Sequence, residues 1–170
     1  MTFTKYQFNN YCYWPSNPKK IIEFIGGSYL ASKPDLAYKR FIKSLIDKNY
    51  AVHAYKYTPQ FDHQELAMRA WKDFKSCQRS LSKRIGTSIP SIRIGHSLGC
   101  KLHLISPDGG RNCEKFISIS FNNFSANRSI PFLKKISQKL EFNSEFSPSP
   151  ERTFGIIKKT YNQKNNFLIK

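Results

Sequence analysis

Ser91-Ile92-Arg93-Ile94-Gly95-His96-Ser97-Leu98-Gly99-Cys100 reads as a short β-strand that runs through G-x-S-x-G into a helix. That succession is the nucleophile elbow, in which a serine on a one-residue turn lifts its hydroxyl above a sheet. The turn forces the serine into a strained backbone conformation and crowds the residues two before and two after it. Gly95 and Gly99 remove the side chains that would clash there. The N–H of Leu98, at the start of the helix, then points where a substrate oxyanion would form. A bare G-x-S-x-G also fits a plain strand–turn–helix corner whose serine only caps the helix. Ile92 and Ile94 before it, with Leu98, Cys100, Leu102 and Leu104 after it, supply the strand and the largely apolar helix that the elbow needs.

The chain has 170 residues, 39% of them hydrophobic and 15% aromatic, enough for one domain with a real core. Lys and Arg number 28 against 11 Asp and Glu, a formal charge of +17. Residues 1–90 carry 15 basic and 6 acidic side chains, and residues 91–170 carry 13 and 5. The excess is therefore spread evenly. It supports weak affinity for anionic surfaces and not a specific nucleic-acid site, for which a basic cluster interleaved with aromatics is missing. Cys12, Cys77, Cys100 and Cys113 form no C-x-x-C and read as small core residues of a reducing, cytoplasmic compartment. No apolar run reaches transmembrane length, and Met1 to Pro15 lacks the apolar core of a signal peptide.

Outward from the elbow, the chain alternates strands and helices. Residues 1–15 suggest an edge strand or hairpin, and Ile21–Ile25 a strand buried on both faces that ends at Gly26-Gly27-Ser28. Ser32-Lys33-Pro34-Asp35 resembles a capping box for a helix to about Lys48. Tyr50–Tyr57 is the next strand, and Asp62-His63-Gln64-Glu65 a second capping box, opening a helix to about Arg84 with Ala67, Ala70, Trp71, Phe74 and Leu81 inward. Phe116–Phe121 reads as another buried strand. Residues 122–150 comprise a polar loop, a short helix over 131–140 and a Ser/Pro linker, and a last helix from Ser149-Pro150 buries Phe154, Ile157 and Tyr161. A strand begins near Asn166. The fold class is α/β, a three-layer sandwich with a mostly parallel sheet, which leaves the architecture incomplete toward the C-terminus. Its strands at Ile22–Phe24, Val52–Tyr55, Ile92–Ile94 and Ile117–Ile119 should lie parallel and adjacent. An unpaired edge beside the last of them would promote homo-oligomers. The loops Gly26–Ser28, Pro59–His63, Gly95–Leu98 and Asn122–Phe124 all fall at the carboxyl ends of these strands, where such sheets bind ligands.

These segments together resemble the α/β-hydrolase superfamily and, more narrowly, a domain of unknown function from photosynthetic bacteria and plastids. The resemblance rests on Phe24-Ile25-Gly26-Gly27-Ser28, Pro34 to Tyr38, Phe61-Asp62-His63, Gly95-His96-Ser97-Leu98-Gly99 and Ser120-Phe121-Asn122-Asn123-Phe124. It implies an ester or thioester hydrolase with Ser97 as nucleophile and the N–H groups of Leu98 and Gly27 as oxyanion donors. It also implies an acid and a histidine after the elbow. Here the histidines are His53, His63, His96 and His103, and Asn122 and Asn123 follow the strand where some members carry the acid. His63 is the one histidine at a strand's carboxyl end that could act as base; equally, it can be the first residue of a helix capped by Asp62. His96 should point away from the serine.

Two readings follow. One is a serine hydrolase taking a small ester, thioester or lipid-like ligand. The other is a non-enzymatic, hydrolase-like binding module that keeps the elbow for packing. No phosphate loop, dinucleotide fingerprint or metal-ligand spacing implies a cofactor. Without a base the serine is a poor nucleophile, so this chain should label weakly or not at all with a fluorophosphonate.

Overall fold

The computed structural model describes residues 2–130, 145–161 and 168–169. A hairpin of β1 (Thr2–Gln7) and β2 (Asn10–Pro15) turns on Phe8 and Asn9, both at positive φ. It leads to β3 (Ile21–Ile25), β4 (Ala51–Tyr55), β5 (Ser91–His96), β6 (Lys115–Ile119) and β7 (Leu168–Ile169). The sheet order is β1-β2-β4-β3-β5-β6-β7, antiparallel at β1/β2 and β2/β4 and parallel from β4 onward. The four central strands are thus parallel neighbours, as their apolar runs predict. Ile25 is level with Tyr55 on one side and Gly95 on the other, and His96 with Ile119, so the strands finish together along one edge.

Helices cover both faces. Ile22, Phe24, Val52, Ala54 and Ile94 pack against Ile42, Phe41, Leu45 and Ile46 of α2 (Lys39–Asp47). On the other face Ile25 and Tyr55 meet Leu66, Ala67, Ala70 and Phe74 of α3 (His63–Ile85), and Leu102 of α4 (Leu98–Leu104). Asp62 caps α3 by accepting from Glu65 N–H at 2.8 Å, and Gly86 closes it at φ 75°. The order of burial within each strand is what makes three layers: alternate residues face opposite helices.

Several details depart from expectation. The single helix expected from Pro34 is broken into α1 (Pro34–Ala37) and α2 at Tyr38, whose φ of −113° and ψ of 22° are not helical. Lys33 is the N-cap residue there and no side chain caps it, so Ser32 forms no capping box. The loop after β6 contains a short α5 (Ala126–Ser129). In α6 (Pro150–Tyr161) Phe154 is not buried but 61% exposed; Thr153, Ile156 and Ile157 turn inward. The helix expected over 131–140 and the side chain of Tyr161 lie outside the described residues.

The core also holds a charge network that the apolar pattern hides. Arg93, 1% exposed, donates to Glu23 at 2.9 Å and grips both oxygens of Asp108 at 2.6 and 2.9 Å. Trp71 donates to Asp108 and Gln78 to Glu23. Burial alone would raise the Asp108 carboxyl, but the guanidinium and the indole N–H outweigh it and hold the carboxyl well below its usual range. Glu23 is raised, because burial outweighs its share of Arg93. Arg93→Leu would strand two buried carboxylates. It should cost about 3–5 kcal/mol, read as a fall in the urea unfolding midpoint at an unchanged slope.

Candidate active site

Four glycines set the geometry at the carboxyl edge of β3 and β5. A Cβ on Gly95 would lie 2.5 Å from Cys100 N, and one on Gly99 2.0 Å from Ile25 O. Helix α4 therefore starts directly against the ends of both strands. Between β5 and α4 the chain has one residue in which to turn, Ser97, and it does so at φ 53° and ψ −118°. That region is costly for any residue with a Cβ, by about 1–3 kcal/mol. Ser97 N–H donates to Ile119 O at 2.9 Å, which ties the turn to β6. Ser97 Oγ has no hydrogen-bond partner among the described residues, and neither has the N–H of Leu98.

The residues expected at this edge do come together, around a cavity of about 650 Å³. Its wall takes Gly27 and Ser28 after β3, Gln60, Phe61 and His63 before and at the start of α3, His96, Ser97, Leu98 and Lys101 from the elbow, and Asn122 to Phe124 after β6. Arg128 of α5 and Phe146 complete the polar and aromatic parts of the wall. The rim is apolar: Tyr29, Leu30, Phe61 and Phe124 are all exposed there.

Gly27 N–H, expected as the second oxyanion donor, is engaged elsewhere: it donates to the Tyr38 hydroxyl at 2.9 Å. The same oxygen lies 2.9 Å from His96 Nδ1. With the glycine donating, the phenol proton is left to face Nδ1. Tyr38 reaches this position because its ring crosses Gly26, where a Cβ would sit 2.5 Å from Cε2. The break between α1 and α2 is thus the bend that brings Tyr38 over the glycine pair. His96 Nδ1 faces the Tyr38 hydroxyl and makes no hydrogen bond to Ser97 among the described residues, although the ring lines the cavity. The next N–H along, that of Ser28, has no partner among the described residues and belongs to the same wall.

His63 shares the cavity with Ser97 but makes no hydrogen bond to it. It is 3% exposed, stacked on Phe146 at 4.2 Å, and its Nδ1 is buried without a partner. Burial and then nearby Lys101 push its pKa down to about 3. Lys101 itself escaped the sequence reading. It lies one helical turn beyond Ser97, 2% exposed, its Nζ donating to Pro148 O at 2.9 Å and standing 5.6 Å above the Phe146 ring. Burial lowers its pKa to about 8 despite Glu145 nearby. A lysine in an otherwise apolar helix start, four residues after the serine, was the signal available. Among the described residues no group of three His, Cys, Asp or Glu could hold a metal, and no helix is long and apolar enough to cross a membrane.

The family described as "Protein of unknown function (DUF1350)" matches residues 6–170. The fold is shared with solved structures at low identity. Carboxyl esterase 2 from the fungus Tuber melanosporum is 17% identical, with a TM-score of 0.58 over 90% of this chain and 58% of its own. A protein provisionally described as a thioesterase, from Silicibacter sp., is 13% identical, with 0.56 over 99% and 76%. The mature lipase BlEst2 from Bacillus licheniformis is 13% identical, with 0.53 over 94% and 66%. The chain therefore spans less than two thirds of the esterase and of the lipase. No curated protein matches it in sequence.

Proposed function

We propose, from the premise that the chain belongs to the DUF1350 family and has an α/β-hydrolase fold, that it is a serine acyl hydrolase of the ester or thioester class. Ser97 is its nucleophile. The observation that carries this reading is the backbone of Ser97, held at φ 53° and ψ −118° at the mouth of the cavity. A corner that served packing alone would relax by substituting glycine, since the strain buys only the placement of a hydroxyl.

In this reading the acyl chain lies along the apolar rim and Ser97 Oγ attacks its carbonyl carbon. The negative charge that develops on the carbonyl oxygen falls to the N–H of Leu98 at the start of α4, with the N–H of Ser28 as second donor in place of Gly27. The alkoxide or thiolate then leaves with a proton, and water releases the acyl group from Ser97. Proton transfer is the slow part. No described nitrogen hydrogen-bonds Ser97 Oγ, and a serine without a base keeps only the residual catalysis of oxyanion stabilisation and binding. The alternative, a binding module, draws its support from the same fact and from the Tyr38 hydroxyl on Gly27 N–H.

A fluorophosphonate probe separates the two. The 170-residue chain should label slowly, over hours, to a stoichiometric end point that vanishes in Ser97→Ala. Peptide mapping should place the adduct on Ser97. Absence of any Ser97 adduct after prolonged incubation would leave the binding module standing. Loss of labelling in His63→Ala, with the fold intact by circular dichroism, would identify His63 as the base after a movement of its ring.

A further inference from the structure

The wall of the cavity is electrically one-sided. Among the described residues that line it, Lys101 and Arg128 are the charged ones and none is a carboxylate. Neither cation has a carboxylate within ion-pair distance among the described residues. The Arg128 guanidinium carbon lies over the Phe124 ring, 4.0 Å from its centroid, a contact that leaves its charge unneutralised. Lys101 is the stranger case. An ammonium has three N–H donors, and at 2% exposure only the Pro148 carbonyl accepts one of them among the described residues. Glu145 is near enough to act on the lysine but forms no ion pair with it, and burying a cation without a paired anion is costly.

Next to it stands a second incomplete group. His63, equally buried, stacks on the Phe146 ring that Lys101 also overlies, and its Nδ1 has no partner among the described residues. Asn123 Oδ1, a buried acceptor on the wall without a partner among the described residues, carries no formal charge. The same cavity carries the exposed apolar rim of Tyr29, Leu30, Phe61 and Phe124. An apolar rim together with two cations fits a molecule that has both an acyl chain and an acidic group.

We propose that the ligand of this cavity is an anionic amphiphile, an acyl compound with a carboxylate or phosphate group seated against Lys101 and Arg128. The substrate of Ser97 would then be an ester or thioester that carries a negative charge, and a neutral lipid would be a poor one. The word substrate rests on the hydrolase reading; the anion seat does not.

Binding can be measured on the Ser97→Ala chain, where no acyl transfer intervenes, by calorimetry with octanoate, octyl phosphate and octanol. Both anions, or one of them, should bind about tenfold or more tighter than octanol, and the stronger of the two identifies the acidic group. Arg128 is exposed, so Arg128→Ala should fold normally; it should weaken anion binding about threefold or more and leave octanol unchanged. Lys101→Met should remove most of the remaining preference. Octanol binding as tightly as the anions would overturn the proposal, and so would an anion preference untouched by both substitutions. If the preference holds while Ser97 never labels, the hydrolase reading falls and the anion seat stands. If Ser97 labels and the preference is absent, the opposite is true.

Discussion

Gly99→Ala is expected to abolish the folded state. The added Cβ would lie 2.0 Å from the Ile25 carbonyl oxygen, 2.6 Å from its carbon and 3.0 Å from Gly26 O. All three are backbone atoms at the exit of β3, and β3 is held in register by β4 on one side and β5 on the other. Neither wall can step back without breaking a ladder. Overpacking against side chains that can rotate away costs about 1–3 kcal/mol. Here nothing rotates away, so the cost should exceed about 4 kcal/mol, close to the whole stability of many domains. Gly95→Ala should do the same through Cys100 N at 2.5 Å. Gly155→Ala is the control: it sits in α6 with nothing within 4 Å of the added atom and should gain about 0.5–1 kcal/mol. Thermal melts of the three variants decide the matter. A Gly99→Ala chain that melts within a few degrees of the parent would mean that α4 is not seated on β3.

The same contacts explain how much of the fold was legible in the sequence. Gly95 and Gly99 are local requirements of a strand–turn–helix corner, so the motif predicts them without any partner being known. Two of the four central strands were equally readable, since Ile21–Ile25 and Ala51–Tyr55 are largely apolar and buried at every position; β6 reads as a buried strand too, yet its Ile117 and Ile119 are 40% and 38% exposed. What escaped depends on partners far along the chain. Arg93 looks like an outward residue between Ile92 and Ile94, and only Glu23, 70 residues away, together with Asp108, makes it a buried one. Tyr38 breaks its helix to reach Gly27 and His96, contacts that no helical periodicity encodes. The candidate site divides in the same way. Strand-end loops placed Ser97, Leu98, Gly27 and His63 around one space, but which N–H remained free, and that Lys101 and Arg128 gave that space its charge, required the packing.

Acid should unfold this chain early, between about pH 5 and pH 4, because three of its four histidines are buried without the means to accept a charge. Burial pushes His53, His63 and His103 each to about 3. Each also has one ring nitrogen without a partner: Nδ1 of His53, Nδ1 of His63 and Nε2 of His103. His53 Nε2 accepts from Trp14 Nε1 at 2.9 Å, a bond that protonation would turn into two donors facing each other. His103 lies between Phe74 and Phe116, with ring centroids 5.8 and 5.7 Å away. The sign follows from the direction of the shifts. Folded values lie below the ordinary 6.5, so below that pH the unfolded chain binds more protons. The stability these groups contribute is complete above about 6.5 and is lost as pH falls toward about 3. One proton is worth about 1.4 kcal/mol per pH unit, so the three together cost up to about 4 kcal/mol per unit. Glu23, raised by its burial, works the other way and offsets part of this, whereas Asp108, held low, adds a further loss below the usual carboxylate range. Two such units remove about 8 kcal/mol, which is the whole stability of a domain in the lower half of the usual range of about 5–15 kcal/mol. Trp14 reports the event directly, through the loss of its bond to His53 in a fluorescence titration. His103→Leu keeps the apolar packing and removes one titrating ring, so its acid midpoint should move down. A parent chain still folded at pH 3, or a midpoint indifferent to His103→Leu, would show that these rings take up protons in the folded state.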